Sequence, residues 1–127
     1  MPKSEIPDDV RRFVLMRIPS VPHIEALLLL RASAPSQWSA HDLAQRLYVR
    51  PAIAELVLAE MHQAGIVHAH ASSCYSYERP RGTLGDVIDE LAAFYSTHLV
   101  EVTTLIHSKL ERKAQQFADA FDFRKES

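Results

Sequence analysis

The sequence predicts a mainly α-helical protein with one small β-hairpin, and three observations carry that prediction. Glycine is scarce, at Gly65, Gly82 and Gly85 only. Apolar residues recur at three- and four-residue steps along most of the chain, the mark of helices with one covered side. Only "IVHAHA" and "CYSYE" change the pattern, to short runs of roughly alternating character joined at Ser72-Ser73, as two strands require. With 127 residues, 47% of them apolar, the chain has the size and composition of one domain with its own core. A net charge of −2 argues against broad attraction to nucleic acid or anionic membrane, although not against a local basic patch. Cys74 is the single cysteine, which excludes an intrachain disulfide and fits a reducing cytoplasm. The longest apolar stretch, Ala26 to Leu30, is too short to cross a bilayer, and the N-terminus has no signal-peptide pattern. A cytoplasmic protein without membrane contact is the expectation.

The elements follow in order. "PDDVRRFVLMR" reads as a helix capped by Asp8 or Asp9, with Val10, Phe13, Val14 and Arg17 at helical spacing. Pro19 and Pro22 then break the chain. A second helix, about His23 to Ala32, is apolar on most sides and belongs at the centre. Ser39 with Asp42 three residues on is a capping box, which predicts a short helix from Ala40 to about Leu47. Tyr48 to Arg50 form a turn into Pro51, a good first-turn residue, and the helix it starts ends at Gly65. After the hairpin, Thr83 and Asp86 offer another capping box, opening the longest periodic segment, Leu84 to about Phe121. The "RKES" tail is expected to fray.

This order, with the residues "LAQRLYVRPAIAELV" and "LVLAEMHQAGIV", resembles a winged helix-turn-helix domain followed by a dimerisation helix, as in transcriptional regulators of the MarR/PadR-like superfamily. The resemblance covers about residues 21–78. Leu43, Ala44, Leu47, Val49, Ala54 and Val57 stand where such motifs keep apolar or small side chains, and Ala44 lets the two helices approach closely. It implies an N-terminal arm over 1–19, a winged domain over 20–82 and a dimerisation helix with its tail over 83–127. Two positions depart from the pattern. Arg50 has no side-chain oxygen with which to cap the second helix, and Tyr48 stands where a turn glycine is common.

In such a fold the second helix enters the major groove N-terminus first. The resemblance makes Arg46, Arg50, Arg79 and Arg81 candidate phosphate anchors, with Tyr48, Ala52 and Glu55 nearest the base edges. With Ala54, Val57 and Met61 inward, the outward face holds Ala52, Glu55, Ala59, His62 and Gln63. That face has no Arg or Asn, a poor set for hydrogen-bond readout. Between Ser36 and Gly82 four arginines meet four acids, Asp42, Glu55, Glu60 and Glu78, so the segment is neutral. The expected function is that of a dimeric DNA-binding transcriptional regulator. The alternative is a winged-helix module that docks a protein through an apolar surface around Leu56 and Leu58, and a ligand-responsive regulator with a pocket beside the long helix is a further option.

An unbroken helix from Leu84 to Phe121 would run about 57 Å. Along it Ile88, Leu91, Tyr95, Val102 and Leu105, with His98 and Lys109 as polar members, repeat every 3.5 residues, as a coiled-coil seam does. A second stripe, Leu84, Val87, Phe94, Leu99 and Ile106, also needs cover, and a homodimer meets both needs. The plainer alternative is a break near His98 and an antiparallel return. Phe117, Phe121 and Phe123 need cover as well, expected from the partner's N-terminal helix.

His68, His70 and Cys74 are close in sequence and have metal-ligand chemistry, but no fourth ligand is evident and scattered polar residues on a hairpin are the simpler reading. His98 as a pH-dependent packing element and Cys74 as a redox sensor are the sharper readings of those two residues; a hydrogen-bonded histidine and an unreactive thiol are the simpler ones. No nucleophile elbow, phosphate loop, H-E-x-x-H or dinucleotide fingerprint occurs. Neither an enzyme nor a cofactor is expected.

Overall fold

The computed structural model describes residues 6–126. The chain is mainly helical, and the described residues form six α-helices and a small antiparallel sheet in the order α1, α2, β1, α3, α4, β2, β3, α5, α6.

Helix α1 (Asp8–Arg17) buries Val10, Phe13 and Val14. Its N-cap is Pro7, not Asp8 or Asp9, and the two acids sit in the first turn, where carboxylates meet the positive end of the helix dipole. Helix α2 (Val21–Ser33) starts two residues before the expected point. Pro22 lies in its first turn, where a missing N–H costs nothing. Ile24, Ala26, Leu27 and Leu30 are buried and Leu28 and Leu29 half-buried, so α2 is the central helix that its composition requires.

Strand β1 (Trp38–Ser39) was not expected. It pairs with β3 (Cys74–Tyr77), which pairs in turn with β2 (Val67–His70), giving three strands in the order β1-β3-β2. The hairpin turns at Ser72-Ser73 as expected, with His70 opposite Cys74 and both serines at positive φ. The Trp38 indole N–H donates to Ser33 Oγ at 3.0 Å, fixing β1 to the end of α2.

Helix α3 (Ala40–Leu47) begins at the expected cap: the Asp42 amide donates to Ser39 Oγ at 3.1 Å. Helix α4 (Pro51–Gln63) ends in a Schellman motif. The Gly65 amide reaches the His62 carbonyl at 3.1 Å and the Ile66 amide the Met61 carbonyl at 3.0 Å, with Gly65 at φ +78°. Ala54, Val57, Leu58 and Met61 are buried beneath it. His23 is buried at the start of α2, with Nε2 2.6 Å from Glu60 Oε1 on α4 and Nδ1 2.7 Å from Ser20 Oγ.

The C-terminal segment is not one rod. Helix α5 (Gly82–Thr97) ends at His98, and α6 (Leu99–Glu126) begins afresh. The break has a local cause. Thr97 Oγ1 donates to the Phe94 carbonyl at 3.3 Å, His98 Nδ1 lies 3.3 Å from the same oxygen, and Ser96 Oγ donates to Ala93 at 2.8 Å. Side chains thus compete with the main chain for the last carbonyls of α5. The His98 ring stacks on Phe94, centroids 4.1 Å apart. At the other end α5 is capped at Arg81, ahead of the expected Thr83.

The same break removes the expected seam. Ile88, Leu91, Val102 and Leu105 are buried within this single chain and Tyr95 is half-buried. Helix α1 packs against both α5 and α6, so the chain's own N-terminal helix supplies cover that a second subunit was expected to give. The side chains of Lys109, Phe117, Phe121 and Phe123 lie outside the described residues.

Candidate nucleic-acid interface

The corner formed by α3, its turn and α4 is built for exposure. Leu43 and Ala44 fix α3 to the core, and Tyr48 takes φ +59°, ψ +45° where a glycine would be easier. That left-handed residue throws its phenol into solvent, 93% exposed. Arg46 and Arg50 stand on either side of it, exposed, and neither forms an ion pair or side-chain hydrogen bond among the described residues. As expected, Arg50 occupies the N-cap of α4 without a side-chain bond.

Along α4 the residues expected outward are outward: Ala52, Glu55, Ala59, His62 and Gln63 are all exposed. The alternative apolar surface needs a correction. Leu58 is fully buried, and the exposed large apolar side chains of this helix are Leu56, at 51%, and Ile53, at 39%. Ile53 was missed because it falls on the flank between the two faces. At 100° per residue, Ala52, Leu56, Ala59 and Gln63 lie along the middle of the solvent face, and Glu55 and Glu60 stand about 70° to either side.

The hairpin side is different. Arg79, expected to reach a phosphate, is folded back on α5. Its Nη2 donates to Asp86 Oδ1 at 2.7 Å, its Nε to Asp89 Oδ2 at 2.9 Å and its Nη1 to the Pro80 carbonyl at 3.2 Å. Arg31 of α2 donates to the other Asp89 oxygen at 3.0 Å. Hydrogen bonds from Arg79, then Arg31, hold the Asp89 carboxyl below its usual range, and those carboxylates raise Arg79 in turn. Gly85 makes this closure possible, since a Cβ there would collide with the Pro80 carbonyl oxygen. Arg79 is therefore a clasp between β3 and α5. The sequence signal was available: Asp86 and Asp89 are three apart on one helix face, a spacing that suits a forked guanidinium.

Arg81 stays exposed but lines a shallow groove with His62, Gly65 and His68, by the C-terminal end of α4. It is not beside Arg50. The structure thus brings Arg46, Tyr48, Arg50, Ala52 and Glu55 to one corner and separates Arg79 and Arg81 from them.

The remaining chemistry is sparse. His68 and His70 share a strand face, with ring centroids 4.8 Å apart, but His70 Nε2 is 2.7 Å from Ser76 Oγ and His68 Nδ1 is 3.6 Å from Glu78. The Cys74 thiol faces the Ser72 carbonyl at 3.7 Å. Among the described residues no group of three or more His, Cys, Asp or Glu side chains could hold a metal ion. An open groove of about 740 Å³ runs between α1 and α5, lined by Arg12, Phe13, Met16, Arg17, Leu84 and Val87. Near it Asp9 and Glu90 share a hydrogen bond, which lowers the Asp9 carboxyl and raises that of Glu90. No helix is long and apolar enough to cross a membrane by itself among the described residues. No family model matches the chain, and neither does any curated protein or solved structure.

Proposed function

We propose that this protein is a winged helix-turn-helix regulator that binds double-stranded DNA as a homodimer. Supporting the architecture, a strand between α2 and α3 joins the hairpin in the order β1-β3-β2, and α3 and α4 meet through a tight turn. The observation that carries the function is the corner itself. Arg46 and Arg50 are exposed and unpaired among the described residues, with Tyr48 between them and the start of α4 directly behind. Cations and a phenol hydroxyl there suit phosphate oxygens. The set is smaller than the sequence suggests, since Arg79 is engaged elsewhere. Two arginines per subunit give a dimer about four phosphate contacts, so affinity falls with salt at a slope near −4. The dimer surface in this reading is the outer part of α6. There Leu110 is 41% exposed and the remaining described side chains through Ala118 are exposed as well.

Fluorescence anisotropy with a labelled duplex at stepped salt tests the reading. Retention at low salt that weakens steeply, and is lost in the Arg46→Ala, Arg50→Ala double variant, is the expected result. Absence of binding at the lowest salt overturns it. A second reading, docking of a protein partner, is favoured by the exposure of Tyr48, Ile53 and Leu56 around the same corner. Sedimentation across micromolar concentrations tests the dimer, and a single monomeric species rejects it.

A further inference from the structure

The solvent face of α4 has a chemistry that narrows what kind of duplex it suits, and the following rests on the DNA-binding reading above. Of the four side chains along the middle of that face, three are hydrocarbon: Ala52, Leu56 and Ala59. Ile53 adds a fourth apolar group on one flank of the same turn, 39% exposed. The only hydrogen-bonding member, Gln63, is in the final turn of α4, farthest from Arg46 and Arg50. A face of this kind cannot pair with guanine through a fork of donors, because no arginine or lysine occurs in α4. One feature of the major groove does suit hydrocarbon: the C5-methyl group of thymine. The two alanines keep the stripe shallow, so the helix backbone can sit deep in the groove, and Leu56 projects between them to meet a methyl. Arg46 and Arg50 at one end supply the charge complementarity that seats the helix against phosphates.

We infer that α4 reads A·T-rich duplex DNA through thymine methyl groups packed on Ala52, Ile53, Leu56 and Ala59, rather than through hydrogen bonds to base edges. Glu55 marks the main competitor. It is exposed about 70° from the stripe, and a carboxylate there can accept from a cytosine amino group, which would favour G·C pairs.

The test uses duplexes of equal length, titrated with the intact chain at low salt. One is an alternating A·T duplex, the second the same duplex with deoxyuridine for thymidine, and the third an alternating G·C duplex. Deoxyuridine removes the methyl and keeps every hydrogen-bonding group. Loss of one covered methyl weakens binding roughly fourfold, so two make the uracil duplex roughly 15-fold weaker. The G·C duplex is expected to bind as weakly as the uracil one, and 5-methylcytosine, which restores a methyl at the same place, to recover part of the loss. Leu56→Ala, a change at an exposed position, is expected to narrow the thymine–uracil gap; an unchanged gap assigns the preference to duplex shape and overturns the inference. Equal binding of the thymine and uracil duplexes overturns it too, while leaving the DNA-binding reading in place. Tighter binding of the G·C duplex overturns it in favour of Glu55. Failure to retain any of the duplexes overturns the DNA-binding reading and this inference together, and leaves a protein as the occupant of the face.

Discussion

Two corners of this molecule carry arginines that look equivalent in sequence and are opposite in structure. At the α3–α4 corner, Arg46 and Arg50 face solvent around a left-handed Tyr48, with no acid holding them among the described residues. At the β3–α5 corner, Arg79 spans two carboxylates of the helix that follows it, and a second helix, α2, joins through Arg31. The first corner presents charge outward, whereas the second uses it internally. The difference comes from the helix that follows each arginine, and Asp86 and Asp89 stand seven and ten residues beyond Arg79. Asp86 and Asp89 are placed to take up the Arg79 fork, while the first turn of α4 offers Arg50 only Pro51, Ala52 and Ile53. A cation beside the proposed DNA surface is free for a phosphate only when no carboxylate of the following helix has taken it.

The comparison can be broken most severely at Gly85. A valine there puts a Cβ into the Pro80 carbonyl and the Arg79 guanidinium. The expected cost is about 3 kcal/mol in a denaturant melt. A melt within error of the parent would show that the clasp is loose. At the opposite corner, Ser39→Ala removes the α3 cap and costs about 1 kcal/mol, read the same way. Only the Ser39 change also bears on the proposed function, because it lies beside the proposed DNA surface.

A third comparison separates charge from stability. Arg50→Ala is expected to lower the salt slope of DNA binding by about one and leave the melting temperature nearly unchanged. Arg79→Ala should do the reverse, lowering the melting temperature and sparing the slope. Identical slopes for both variants would remove the distinction drawn between the corners. The smallest effect concerns acid. The Asp89 carboxyl is lowered by its hydrogen bonds to Arg79 and Arg31, so its contribution is complete above the unfolded carboxylate pKa of about 4 and disappears as the pH falls through the folded value. The melting-temperature gap between the parent and Asp89→Asn should therefore close below about pH 4; a constant gap argues against the ion pair as its source.

Most of the helical frame was legible, since its signals are local. The Ser39–Asp42 box, Pro51, Gly65 and the Ser72-Ser73 turn each act through bonds within a few residues, and each is where the sequence puts it. The inward set on α4 was readable from its period. What escaped had no period or depended on distant residues. Strand β1 has two residues, too few to alternate. The end of α5 lacks glycine and proline, and its signal was the polar run Ser96-Thr97-His98, whose side chains bond back to carbonyls. The 3.5-residue repeat in Ile88, Leu91, Val102 and Leu105 was real but did not say whose surface would cover it, and α1 of the same chain takes that place. Of the proposed site, the α3–α4 corner was legible and the hairpin side was not, because Arg79 is decided by tertiary ion pairing.

The position of α1 has a consequence for how the polypeptide is made. Its buried residues rest on α5 and α6, which are made after it, so α1 has no finished seat until the residues around Ile106 have left the ribosome. Until then Val10, Phe13 and Val14 lack that cover, and closure of α1 is a long-range event.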